Sequence, residues 1–261
     1  MGDGVSAALA GKAGAIRNVF VTHADRDHLG GLLQFHQLHA GKGRPKIHYP
    51  RDCGSFPALR DFLTRFDPDS GPATWQPIAT GDVTDIGRGH AVHAIRSEHI
   101  AAPPEASKAF SFRVHRCKDV LRQEFRHLPG AEIATLRKER GDVAVLDRVE
   151  TPVFGFSGDC PRLDPETWTG VPILMHECTF LDPNTAREQH AHLQQVLDAA
   201  STMEFRSLIL MHLSTRYSHD EIRQRVRAES AKRRLPFPVY VMLPGEVYRD
   251  VLSTEPIWHA V

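Results

Sequence analysis

Along the chain, short apolar runs of strand length alternate with stretches whose apolar residues recur every three or four positions. Residues 16–22 read as a strand and 29–38 as the helix after it. PKIHYP, residues 45–50, is a short strand between prolines, and SFPALRDFLTRF is the next helix. HAVHAIRSEH and AFSFRV alternate with period two, the mark of half-buried strands. Four more apolar runs, TPVFGFSGD, VPILMHECTF, RSLILMHLS and PVYVMLP, each end in polar residues. Between them, HLQQVLDAA sets Leu193, Val196, Leu197 and Ala200 on one helical face, and SHDEIRQRVRAES opens with a capping box from Ser218 to Glu221. Strands interleaved with helices predict an α/β layered fold. No internal repeat is visible, and linker-like stretches are confined to residues 67–74 and 100–107, so residues 1–261 read as a single domain.

Composition adds two constraints. No apolar run approaches the ~18 residues that a membrane span requires, and the N-terminus shows no basic segment ahead of an apolar one. The four cysteines, Cys53, Cys117, Cys160 and Cys178, are scattered without metal-binding pairs, so reduced thiols in a cytoplasmic setting are expected. Lys plus Arg equals Asp plus Glu at 32 each, which gives no support for generic nucleic-acid binding. Histidine stands out at 16 residues and directs attention to metal ligation.

The candidate ligands gather at strand ends, where a layered α/β fold fixes side-chain direction. His23, Asp25, Asp27 and His28 come after the first strand; His99 comes after the alternating segment, with His90, His93 and His115 as nearby competitors. Asp159 sits in FSGDC, His176 and Glu177 in MHECTF, and His212 in MHLSTRY. Imidazole and carboxylate suit zinc and other borderline divalent ions, and a two-metal site requires about six or seven such groups with one bridging carboxylate. His176 reads as a structural hydrogen-bonding residue. His36, His39, His48, His127, His219 and His259 are expected on the surface, and Cys160 and Cys178 lack the neighbouring base that a nucleophile needs.

The run His23-Ala24-Asp25-Arg26-Asp27-His28-Leu29-Gly30-Gly31 resembles the H-x-H-x-D-H signature of the metallo-β-lactamase superfamily. FSGDC, LMHECTF, QHAHLQQVLDAA and LILMHLSTRY, in this order, resemble ribonuclease Z and its close relatives, as do PKIHYP and HLPGAEIATLRKERGDVAV; the likeness runs from Gly2 to Leu243. It implies an αββα sandwich and two divalent metal ions, zinc first, with manganese or iron as alternatives. Carried over by position, it implies that His23, Asp25 and His99 bind one ion and Asp27, His28 and His212 the other, with Asp159 bridging. Asp27 then also counts among the catalytic groups, beside Glu177 and His190, which would handle the leaving-group proton; His192 competes with His190 for that place. Ser214, Arg216 and Tyr217 are the candidate phosphate contacts. Asp25 departs from the pattern, which has a second histidine there, and a carboxylate at that place favours a harder metal or looser binding.

The resemblance implies a metal-dependent phosphodiesterase cutting RNA, with 3′ processing of transfer-RNA precursors as the expected reaction. A hydrolase of small molecules or general phosphodiesters is the alternative, and a silent binding protein is the third reading. The partners are an RNA substrate or a small phosphodiester, with no membrane and with a homodimer left open. Many ribonuclease Z proteins carry a glycine- and proline-rich arm for transfer RNA, and no such segment lies between His99 and Asp159. Lactamase-like folds also place strands and an Asp-x-Gly turn ahead of the first histidine motif. MGDGVSAAL resembles the segment just after that aspartate, so the natural protein is expected to have further N-terminal strands that this chain lacks.

Overall fold

The computed structural model describes residues 4–9, 12–38, 45–70, 73–185 and 187–259. Residues 1–3, on which the expectation about the N-terminus rests, and His39 lie outside them. The strands form two sheets. β1 (Asn18–Phe20), β2 (Lys46–Pro50) and β3 (Thr74–Ile78) make a parallel three-stranded sheet. β4 (Val83–Gly87), β5 (His90–Arg96), β6 (Phe110–Leu121), β7 (Leu146–Phe156), β8 (Ile173–Glu177), β9 (Ser207–Met211) and β10 (Val239–Val241) make a seven-stranded sheet in chain order. Its first four strands are antiparallel neighbours and its last four run parallel. The helices are α1 (Val5–Ala8), α2 (Arg26–Leu38), α3 (Ser55–Phe66), α4 (Gly130–Arg140), α5 (Asp142–Val145), α6 (Pro165–Trp168), α7 (Leu193–Ala200) and α8 (His219–Arg233).

The layers arise from which faces are apolar. Phe20 and Ile78 of the small sheet pack against Val92, Ala94, Phe110 and Phe112 of the large one. Leu32 and Phe35 of α2 and Phe56 of α3 cover Val19, Ile47 and Tyr49 on the outer side of the small sheet. Leu193, Val196 and Leu197 of α7, with Ile222 and Val226 of α8, cover Leu174, Leu208 and Leu210 of the large sheet. Each such side chain, fully buried, contributes about 1.5–3 kcal/mol of transfer free energy. The result is the expected αββα sandwich. Parallel neighbours require crossover connections, here made by α2, α3, α6, α7 and α8, and this brings the carboxyl ends of β1, β5, β7, β8 and β9 to one edge.

Several boundaries differ from the sequence reading for physical reasons. Only Asn18–Phe20 of residues 16–22 is laddered in the small sheet, because the chain crosses over: Val21 N donates to His48 O, but Thr22 O accepts from Phe110 N of β6. α2 begins at Arg26 rather than residue 29, which puts Asp27 and His28 in its first turn. β3 starts inside the stretch read as linker, and β3 and β4 gave no strand signal because both are largely exposed edges. β6 and β7 run on past their alternating segments as a largely exposed ribbon, Lys118 to Leu121 pairing with Leu146 to Val149. His36 and His48 are buried at 7% and 2% exposure, not on the surface. His48 stacks on Phe20 and bonds Asn18 Oδ1. Among the described residues no helix is long and apolar enough to cross a membrane.

Candidate metal centre

The crossover at Thr22 places His23 at the floor of a cleft, 1% exposed, with Asp25 and Asp27 at its mouth and His28 in the first turn of α2. From the large sheet come His99 after β5, Asp159 after β7, Glu177 at the end of β8 and His212 after β9. Gly158 lets Asp159 in: its φ is +57°, and a Cβ there would lie 2.8 Å from both Phe110 O and Thr22 Cγ2. His212 also holds a left-handed backbone, φ 60°, a conformation that is costly away from glycine and that marks a constrained position.

Asp159 Oδ2 is the hub. It lies 3.3 Å from His28 Nε2, 3.5 Å from His212 Nε2, and 3.8 Å from both His23 Nε2 and His190 Nδ1. On one side Asp25 Oδ2 approaches His99 Nε2 at 3.4 Å and His23 Nε2 at 3.7 Å; on the other Asp27 Oδ2 approaches His212 Nε2 at 3.2 Å and His28 Nε2 at 3.4 Å. His23, Asp25 and His99 therefore form one nest of potential ligand atoms, and Asp27, His28 and His212 a second.

The tautomers suit metal ions. His99 Nδ1 donates to the carbonyl of Gln189, which can only accept, so its Nε2 carries a lone pair into the cleft. His23 and His212 place Nδ1 against Thr22 Oγ1 and Thr179 Oγ1, at 3.0 and 2.9 Å, and also turn Nε2 inward. His23 Nε2, His28 Nε2 and Asp159 Oδ1 are buried with no hydrogen-bond partner. Buried polar atoms left unpaired are costly, and cations in the two nests remove that cost. Burial, with His28 adding to it, pushes the His23 imidazole down to about 4, so it stays neutral and able to ligate. Burial alone would raise Asp159; His28 at 3.3 Å and the neighbouring imidazoles of His212 and His23 outweigh it and hold the carboxyl well below the usual range. The residues fit two divalent ions.

Glu177 is saturated instead. Its Oε1 accepts from Cys160 N and His190 Nδ1, at 3.1 and 3.0 Å, and its Oε2 from Thr179 N and Thr179 Oγ1, at 3.0 and 2.6 Å. Fully buried with these four bonds made, it has no oxygen lone pair turned towards either nest without giving one of them up. Its hydrogen bond raises the His190 pKa against the opposing effect of burial. Geometry separates His190 from His192, because His192 is the N-cap of α7, accepting from Gln195 N. His176 is buried and bonds Glu177 O and Cys160. Burial, helped by Glu177, pushes the Cys160 and Cys178 thiols up and leaves them unreactive. Ser214 Oγ accepts from Arg216 Nε, Arg216 lies over the Phe180 ring, and the Tyr217 hydroxyl bonds Leu181 N and Thr185. Tyr217 thus ties down its own loop, and Arg216 is the exposed cation of the three.

Thr22 and Thr179 escaped the sequence reading. Their signal was present, a threonine beside His23 and another two residues after Glu177, but a strand-end threonine is too common to single out without the fold.

No family model matches the chain. It is 26% identical over 230 residues to the chloroplastic tRNase Z TRZ2 of Arabidopsis thaliana, 80% of this chain and 60% of that one. It is 27% identical over 228 residues to the ribonuclease Z of Natronomonas pharaonis, 79% of this chain and 73% of that one. Among solved structures, the metallo-β-lactamase fold protein YhfI from Bacillus subtilis superposes with a TM-score of 0.62 at 14% identity, covering 95% of this chain and 85% of the other. This chain has the metallo-β-lactamase fold, and by sequence it is a relative of the ribonuclease Z proteins.

Proposed function

We propose that the chain is a metal-dependent phosphodiesterase of the ribonuclease Z type, cutting RNA and acting on transfer-RNA precursors at the 3′ side of the acceptor stem. The observation that carries this reading is the Glu177–His190 pair, 3.0 Å apart and next to Asp159 rather than inside either nest. His23, Asp25 and His99 would hold one ion and Asp27, His28 and His212 the second, with Asp159 shared between them; zinc is the ion that this mixture of imidazole and carboxylate suits best. Two such ions, when bound, would supply a water of lowered pKa and a clamp on the oxygens of an in-line displacement. The chain's own part is to hold proton and substrate. His190, whose pKa the Glu177 carboxylate raises, gives its proton to the departing oxygen, a step worth about 10²–10⁴ in rate. Arg216, held by Ser214 and the Phe180 ring, faces the phosphate as a fixed cation.

Balanced charge, 32 basic against 32 acidic residues, favours a second reading, a general phosphodiesterase without strong RNA affinity. Zinc-loaded protein assayed on a precursor transfer RNA and on bis(p-nitrophenyl) phosphate decides. The first reading predicts precursor cleavage at one position, abolished by chelator. Hydrolysis of the small diester alone selects the second, and hydrolysis of neither contradicts both.

A further inference from the structure

A second cluster of ligand-type side chains lies apart from the cleft, on β5, β6 and β7. The side chains of Val92, Ala94, Phe110 and Phe112 point between the sheets, so by the strand's period of two His93, His115 and Cys117 stand on the opposite face. Cys117 is directly across from Glu150 of β7, and a bulge between Val114 and His115 shifts the register. The four side chains converge. His93 Nε2 donates to Glu150 Oε2 at 2.7 Å, His115 Nδ1 lies 3.6 Å from the same oxygen, and the two imidazoles stack with centroids 4.0 Å apart. Arg148 Nε and Cys117 Sγ take the other oxygen, Oε1, at 3.4 and 3.8 Å, which leaves Oε2 to the histidines.

His115 is the anomaly. It is 9% exposed, and both of its ring nitrogens are buried without a hydrogen-bond partner. A buried imidazole with neither nitrogen satisfied calls for an explanation, and ligation of an ion is one of the few available. Burial together with the neighbouring His93 keeps its pKa below the ordinary value, so it remains a neutral ligand.

We propose that His93, His115 and Glu150 form a second metal site, separate from the cleft, for a borderline divalent cation of the zinc class. Two imidazoles and one carboxylate are a known three-residue ligand set for such ions, with the fourth position left to water. Binding replaces the His93–Glu150 hydrogen bond and turns the two rings out of their stack, because parallel rings cannot both aim a lone pair at one ion. The ion clips three adjacent strands together at the root of the exposed β6–β7 ribbon that leads to α4. Its role is structural: it satisfies one of the two unpaired nitrogens of His115 and adds ligand-linked stability to the folded state.

The test uses the full chain, stripped with chelator and dialysed to equilibrium against Zn²⁺, with zinc per chain measured by atomic emission. His115→Ala, His93→Gln and Glu150→Gln are each expected to hold one zinc fewer than wild type, to lose part of the zinc-induced rise in melting temperature, and to keep wild-type hydrolysis of bis(p-nitrophenyl) phosphate. In an Asp159→Ala background, His93→Gln should remove the zinc that remains outside the cleft. If His115→Ala fails to fold, the two milder variants decide. Wild-type zinc content and an unchanged thermal response in both of them overturn the proposal.

Discussion

The two sheets contribute to the centre in opposite ways. The small sheet delivers His23, Asp25, Asp27 and His28 from a single loop and helix turn, and its two carboxylates are 55% and 64% exposed. The large sheet delivers His99, Asp159, Glu177, His190 and His212 from separate segments, and its two carboxylates are 3% and 0% exposed. The small-sheet carboxylates form a rim that solvent reaches above the buried His23, and the large-sheet carboxylates lie in a base held by packing and hydrogen bonds. Changes at the base should therefore abolish function, whereas changes at the rim should tune it.

The largest effect is expected at Asp159. Asp159→Ala removes the carboxylate placed between the two nests, and hydrolysis should fall by about 10³-fold or more, with fewer metal ions retained. Turnover near the wild-type level would put the base and the rim on equal terms and end the distinction. Next come Glu177→Gln and His190→Ala, each expected to cost about 10²-fold in kcat while metal content stays unchanged. His192→Ala should leave the rate alone and cost about 1 kcal/mol of stability through the lost helix cap, read as a shift in urea midpoint. A rate defect at His192 equal to that at His190 would break the assignment.

At the rim, Asp25→His should tighten zinc by about tenfold, since imidazole suits zinc better than a single exposed carboxylate. Competition with a chromogenic chelator measures it, and unchanged affinity would mean that Asp25 points away from the ion.

Legibility in the chain divides the same way. The rim was legible because its residues are contiguous, and four ionisable groups after an apolar strand are conspicuous without any fold. The base was legible only in pieces. FSGD, MHE and MHL each mark a strand end, but nothing local says that they meet, and the choice between His190 and His192 depended on where α7 begins. Thr22 and Thr179, which aim the imidazoles, stand beside conspicuous residues but look like any other strand-end threonine. The edge strands β3 and β4 were invisible for another reason: with little surface to bury, they carry little hydrophobic pattern.

The smallest effect concerns the small sheet itself. Burial pushes the His48 pKa from 6.5 down to about 4. The unfolded chain therefore takes up this proton first as pH falls, and stability should decline from about pH 6.5 towards pH 4. His48→Gln should flatten that part of the profile, measured by urea unfolding at a series of pH values. An identical slope in the variant would assign the acid sensitivity elsewhere.

The central claim is that the rim and the base hold two ions on either side of Asp159. Anomalous diffraction at the zinc edge, from crystals grown with zinc, tests it directly. Two peaks roughly 3.5–4 Å apart, one bounded by His23, Asp25 and His99 and the other by Asp27, His28 and His212, are the predicted result. A single peak, or none beside Asp159 at full zinc occupancy elsewhere, would contradict the account.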